Sequence, residues 1–163
     1  MSQPLTIYRD HARAEWVDYN RHLRDAYYLL LFSYAVDALI DHIGLDEAER
    51  ERSQRSLYTL EVHLNYLAEV KEGTPLRVDV QLLGHDAKRL HVYLSLFRGD
   101  EPEPVAVSEQ MLMSVDTAQK RSAPFMPVVL ERIGQLAVAH ADLPKPAYSG
   151  RVITLPPARA VPA

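Results

Sequence analysis

Asp18, His22 and Asp25 stand four and three residues apart in the phrase Glu15-Trp16-Val17-Asp18-Tyr19-Asn20-Arg21-His22-Leu23-Arg24-Asp25-Ala26-Tyr27-Tyr28, directly ahead of the longest apolar stretch of the chain. A carboxylate held at such a place can attack an activated carbonyl, or deprotonate a water that does, provided the developing oxyanion meets donors. Those donors would come from the first turn of the helix that the apolar stretch predicts, through its free N–H groups and the positive end of its dipole. Asp18 is therefore the first candidate. The competing reading is an Asp that merely closes a loop by accepting backbone amides, and spacing alone favours that one. His22 would shape the loop and orient the carboxylate or touch the substrate, with a structural imidazole as the alternative. Asp25 is placed to cap the helix and so to hold the amides an oxyanion would use.

The elements that must position these residues follow from the hydrophobic pattern. Thr6 to Ala14 alternates weakly as a first strand, and Glu15 to Arg24 is a polar loop. From Ala26 to His42 the pattern is apolar almost all round, with Gly44 placed to stop it, which describes a helix that other elements must wrap. Asp46 to Arg55 is charged without an apolar stripe and reads as a mobile or solvent-facing connection. The period then changes to two: Tyr58, Leu60, Val62, Leu64 and Tyr66 are expected on one face of a strand, with Thr59, Glu61, His63 and Asn65 on the other. Strands follow around Leu76–Leu82, Leu90–Leu96 and Val105–Asp116, with turns at Gly84–Lys88 and Arg98–Pro102, so four strands in series with hairpin turns form an antiparallel sheet. A second helix spans about Val128 to Ala141. The class is α+β, with one domain over residues 1–141 and a Pro- and Ala-rich irregular tail over 142–163 that holds one short extended piece at Arg151 to Leu155.

At 163 residues with no Cys, the chain has room for one core and excludes disulfides, thiolate metal sites and a Cys nucleophile. A net charge of -4 offers no uniformly basic face for nucleic acid. The apolar run Tyr27 to Ile40 is shorter than the roughly 20 residues a membrane span needs, and the first ten residues lack the pattern of a secretion signal. A cytoplasmic enzyme, acting without nucleic acid or membrane, is the expectation. No Ser stands in a G-x-S-x-G elbow, and no H-E-x-x-H pair points to zinc.

The order of Asp18, His22 and Asp25 at the head of a helix resembles the signature of the 4-hydroxybenzoyl-CoA thioesterase branch of the hotdog fold. The run from Trp16 to Ile43, with Tyr58-Thr59-Leu60-Glu61, His85-Asp86-Ala87-Lys88-Arg89-Leu90-His91-Val92 and Ser108-Glu109-Gln110-Met111-Leu112-Met113, is similar to the betainyl-CoA thioesterases of carnitine catabolism. The resemblance covers about Thr6 to Ile133. It implies a curled antiparallel sheet wrapped around one helix, an assembly of two or four copies with sites between protomers, an acyl-CoA substrate, and no cofactor beyond the coenzyme A of that substrate. It also implies Asp18 as nucleophile or general base. There are departures: Arg21 and Arg24 stand where many relatives have Gly and Asn. Ser33 and Val36 replace the Glu and Arg that many acyl-CoA thioesterases carry on this helix.

Two groups of residues then become substrate candidates. Trp16, Tyr19, Tyr27, Tyr58 and Glu61 could surround a trimethylammonium head, since an aromatic face attracts such a cation by roughly 0.5–2 kcal/mol; core packing is the alternative for each. Lys88 and Arg89 in one turn, with Lys120 and Arg121 after the last strand, could meet coenzyme A phosphates, or be solvated turn residues. A hydratase is the rival within the fold, and its helix-borne Glu is missing. A non-catalytic acyl-CoA or quaternary-amine binding module would keep both groups and not depend on Asp18.

Overall fold

The computed structural model describes residues 2–158. Strand β1 (Leu5–His11) and a 3-10 turn (Ala14–Trp16) precede helix α1 (Asp25–His42), then a short helix α2 (Glu47–Ser53). Strands β2 (Arg55–Tyr66), β3 (Pro75–His85), β4 (Arg89–Arg98) and β5 (Pro104–Asp116) follow, then a two-residue strand β6 (Arg121–Ser122) and helix α3 (Pro127–His140). One antiparallel sheet has the order β1-β3-β4-β5-β2, with β6 added beside β5.

Helix α1 is the axis of the core. Leu31, Phe32, Ala35 and Leu39 are fully buried on it, with Tyr28, Val36 and Ile40 nearly so. Removing each large side chain from water stabilises the fold by roughly 1.5–3 kcal/mol, which is why so apolar a helix is wrapped by the sheet. Its end follows the sequence reading: Gly44 takes φ 85°, a left-handed conformation costly for other residues. Its start corrects that reading. Arg24 occupies the cap position without a side-chain bond, and Asp25 is the first helical residue, accepting from the Ala26 amide at 2.9 Å.

Three further expectations change. Asp46 to Arg55 does face solvent, but it holds α2, because Asp46 accepts the Glu49 amide at 2.9 Å and Arg52 pairs with Glu49 at 2.7 Å. The hairpin series holds for β3, β4 and β5 only. β2 is not joined to β3; it lies at the far edge, paired with β5 from Arg55↔Asp116 to Tyr66↔Ala106. Its faces also differ from simple alternation, since a bulge between Thr59 and Glu61 takes Leu60 out of register. Through their partners, Val62 (Gln110, Val92) and Leu64 (Ser108, Leu94) belong to the buried inner face, whereas Tyr58 (Met113, Arg89), Glu61 (Met111, His91) and His63 (Glu109, Tyr93) share the outer one.

Helix α3 packs Val129, Ile133 and Leu136 into the core shared with α1, and the segment after it covers part of that outer face. The Leu82 amide donates to His140 Nδ1 at 3.0 Å, which leaves the proton on Nε2. Burial, then nearby His42, holds the His140 pKa below its usual value. Gln81 donates to Pro144 O at 3.2 Å, and Gly150 N–H donates to Glu109 at 2.6 Å. Beneath this segment Tyr93 is 5% exposed, and burial pushes its phenol up to about 12. Arg151 to Leu155 forms no strand, and residues 159–163 of the tail lie outside the described residues.

Candidate active site

The loop before α1 is closed by its own backbone. Asp18 N–H donates to His22 O and Arg21 N–H to Asp18 O, both at 2.9 Å, and Arg24 N–H reaches Trp16 O at 3.0 Å. Two further bonds tie it to the chain between β2 and β3: Leu23 N–H to Val70 O at 2.7 Å and Glu72 N–H to Arg21 O at 3.0 Å. Arg21 sits at φ 61°, the left-handed region that a Gly at this place would occupy without strain, and its guanidinium meets Glu72 at 2.6 Å. The departure at Arg21 thus keeps the tight turn and adds an anchor.

Asp18 takes the loop-closing role that spacing alone favoured. Its Oδ1 accepts the amides of Asn20 at 2.8 Å and His22 at 3.1 Å, closing the loop. Its Oδ2 takes no hydrogen bond among the described residues. His22 orients this carboxylate through its backbone amide. Its imidazole turns to Glu69, 3.4 Å away, at the mouth of a cavity of about 510 Å³ lined also by Lys71, Thr74, Arg98 and Glu101. Asp25 is 41 residues from Tyr66 in sequence, yet the Tyr66 hydroxyl donates to its carbonyl at 3.1 Å. Tyr66 meets Tyr28 edge to face at 5.2 Å, so an aromatic pair stands at the head of the helix.

The aromatic candidates separate. Trp16 is 4% exposed, stacked on Tyr27 at 5.8 Å with the Arg13 guanidinium over its ring at 4.5 Å, so its π-surface is engaged within the protomer. Tyr19 is 90% exposed at the loop tip. Tyr58 and Glu61, expected on opposite faces, both lie on the outer face of β2, away from this loop. Glu61 shares a 200 Å³ cavity with His63, His91 and Glu109. His91 Nε2 and Glu109 Oε1 are 2.7 Å apart, a pairing no sequence signal announced. Burial would raise the Glu109 pKa, but the Gly150 amide and His91 together hold it below the ordinary value.

The basic candidates do come together in part. Lys88 Nζ donates to Ser122 at 3.3 Å, joining its turn to β6. Lys120 and Arg121 rim a cavity of about 520 Å³ whose floor is Tyr58, Leu60, Met113 and Val115. Arg89 is committed to Asp86, with contacts of 2.6 and 2.7 Å; the Lys88 amide, and then that guanidinium, lower the Asp86 carboxyl to about 2. No group of metal-ligating side chains is present among the described residues.

A curled antiparallel sheet around one apolar helix, with a carboxylate on the loop at the helix head, is the hotdog architecture. The thioesterase-like superfamily model matches residues 12–133, and the chain belongs to that family. It is 57% identical over 159 residues to the betainyl-CoA thioesterase of Pseudomonas aeruginosa, covering 98% of this chain and 100% of that one. It is 40% identical over 148 residues, 90% of its length, to 30% of the L-carnitine dehydrogenase/betainyl-CoA thioesterase of Agrobacterium fabrum. Among solved structures, the Staphylococcus aureus protein SAV2348 in complex with CoA superposes with a TM-score of 0.87 at 30% identity, over 96% of this chain and 98% of that one.

Proposed function

We propose that this enzyme hydrolyses betainyl-CoA to glycine betaine and free coenzyme A, with Asp18 acting on the thioester carbonyl. The observation that carries the reading is the divided carboxylate: Oδ1 is held by two amides while Oδ2 is left open at the head of α1. In the first turn of α1 the Ala26 and Tyr27 amides are taken by Asp25 Oδ1 and Arg24 O, and the Asp25 amide is left to receive the oxyanion. The similarity along the whole length of the Pseudomonas aeruginosa enzyme supports the betainyl group. For its trimethylammonium head the exposed Tyr19 and the Tyr28–Tyr66 pair offer aromatic surface. The proposed compartment is the cytosol.

The reading includes a homodimer. Asp18 and Tyr66 sit at one end of β2, and Lys88, Lys120 and Arg121 at the other. Twelve residues of strand at about 3.3 Å each put these ends roughly 35 Å apart, longer than the pantetheine arm of one coenzyme A. β2 is a free edge among the described residues, bearing exposed Tyr58, Leu60, Val62 and Tyr66. Two such edges paired antiparallel about a two-fold axis bring the basic end of one copy beside Asp18 of the other. Lys88, Lys120 and Arg121 would then meet the phosphates of a substrate cleaved in the neighbouring loop.

The test is release of free thiol from betainyl-CoA, acetyl-CoA and benzoyl-CoA by wild type and Asp18→Asn. The Asn side chain can still accept the two amides, so the fold should hold while turnover falls by about 10²- to 10⁴-fold. Near-normal turnover would remove Asp18 from the mechanism. Preference for another acyl group would leave a general thioesterase, and hydrolysis of none a binding module.

A further inference from the structure

The segment after α3 crosses the outer face of the sheet strand by strand. It meets β3 where Gln81 donates to Pro144 O, and β5 where Glu109 accepts the Gly150 amide at 2.6 Å and the Ser149 hydroxyl at 3.3 Å. Arg151 then lines the cavity that Glu61 and His63 of β2 share. Through a turn at Ala147–Gly150, these contact points advance across the strands from β3 to the edge strand β2. Immediately beyond, Val152, Ile153 and Leu155 are 78, 90 and 89% exposed. Three apolar side chains in water, after a segment bonded to the sheet at Pro144, Ser149 and Gly150, call for a surface that one protomer does not provide.

We propose that residues 152–155 pass over the edge and dock on the outer face of a second copy of this chain, in the cavity floored by Tyr58, Leu60, Met113 and Val115. This rests on the β2-edge dimer proposed above. Full antiparallel overlap of two copies of β2 sets Arg55 of one against Tyr66 of the other, and therefore His63 against Tyr58 and Glu61 against Leu60. The segment leaves its own sheet at Glu61 and His63, so it arrives at Tyr58 and Leu60 of the second copy. The faces agree as well. Tyr58 and His63 are five positions apart and would alternate to opposite faces in a regular strand; the bulge at Leu60 returns both to the outer face, so outer residues meet outer residues across the axis.

The landing site suits its occupant. The cavity of about 520 Å³ has an apolar floor, and Tyr58 and Leu60 are 53 and 56% exposed in the isolated protomer. Four residues of extended chain reach up to about 14 Å, enough to cross from one edge strand, over the neighbouring one about 4.8 Å away, and onto the floor beside it. Lys120 and Arg121 stay on the rim. The exchange is reciprocal, since each copy supplies one segment and one cavity.

The absence of Cys makes the test clean. The double variant Tyr58→Cys/Ile153→Cys is oxidised at low concentration and run on a denaturing, non-reducing gel, with the two single variants alongside. Most of the double variant should run as a covalent dimer, and neither single variant should. Loss of free thiol with the chain still running as a monomer would mean that the segment fills its own cavity, and the proposal would fall. It would fall too if thiols stayed free in this variant and in Leu60→Cys/Val152→Cys, or if a single variant cross-linked equally. Sedimentation of the wild type separates the two readings: a monomer would remove the dimer itself, whereas a dimer without the cross-link would remove only the exchanged segment.

Discussion

Asp18 and His22 are four residues apart, yet the fold uses them differently. Asp18 spends one oxygen on the loop and keeps the other, while the imidazole of His22 leans on Glu69 and touches no atom of the carboxylate. An exposed pair of this kind is worth about 0–1 kcal/mol. His22→Ala should therefore reduce thioester turnover by less than tenfold, against the far larger loss in Asp18→Asn; comparable losses in steady-state kinetics would give the imidazole a chemical role. The backbone amide that holds Asp18 survives that substitution. The same reasoning explains why Arg21 is tolerated in a left-handed turn. Its backbone strain, about 1–2 kcal/mol for a residue with a Cβ, is set against two bonds to Glu72, one from the backbone and one from the side chain.

Helix α1 and helix α3 answer to different tests. Phe32 is wholly buried where α1 meets the sheet, and Phe32→Ala should cost about 3–5 kcal/mol in urea unfolding, through lost transfer energy and the cavity left behind. On α3, His140 joins the helix end to β3 only while its Nδ1 is unprotonated. Its folded pKa lies below the 6.5 of a free imidazole, so the unfolded chain binds more protons in acid. The stability it contributes is complete above pH 6.5 and is lost as pH falls toward and through the folded pKa. His140→Gln has no such titration, and its unfolding free energy should lose this part of the slope below pH 6.5. Of these elements, α1 was plain from its unbroken apolar pattern and its Gly stop. α2 was not, because a short charged helix buries nothing and is held by a cap and one ion pair. The bulge at Leu60 leaves no mark on a pattern of alternating side chains, and it moves Tyr58 from the face it was expected to share with Val62 and Leu64 to the outer face of Glu61 and His63.

The assembly gives the molecule its decisive prediction. If the carboxylate and the basic turns of one site come from two copies, then Asp18→Asn and a Lys120→Ala/Arg121→Ala double variant are each defective at both sites of their own dimers. Mixing them with subunit exchange should create one site with both sets intact in each mixed dimer. Thiol release should rise above the sum of the separate proteins, and no recovery would place the whole site in one protomer. Charge points the same way, since a net -4 chain can hold a polyphosphate only where a few cations gather.

Periodicity and punctuation were enough to read the α+β class, the central helix and the strands, since these depend on local steric preference and on which side chains avoid water. The aromatic candidates were legible as residue types but not as a pocket. Trp16 turned out to pack between Tyr27 and Arg13, and Tyr58 to lie on the far face. Glu69 beside His22, Tyr66 beside Asp25 and Glu109 beside His91 join positions 47, 41 and 18 residues apart. The first two follow from how β2 and the chain after it come against the head of α1, and the third from the register of β4 on β5, and those choices are made by the packing of the whole sheet on α1, which no window of sequence contains.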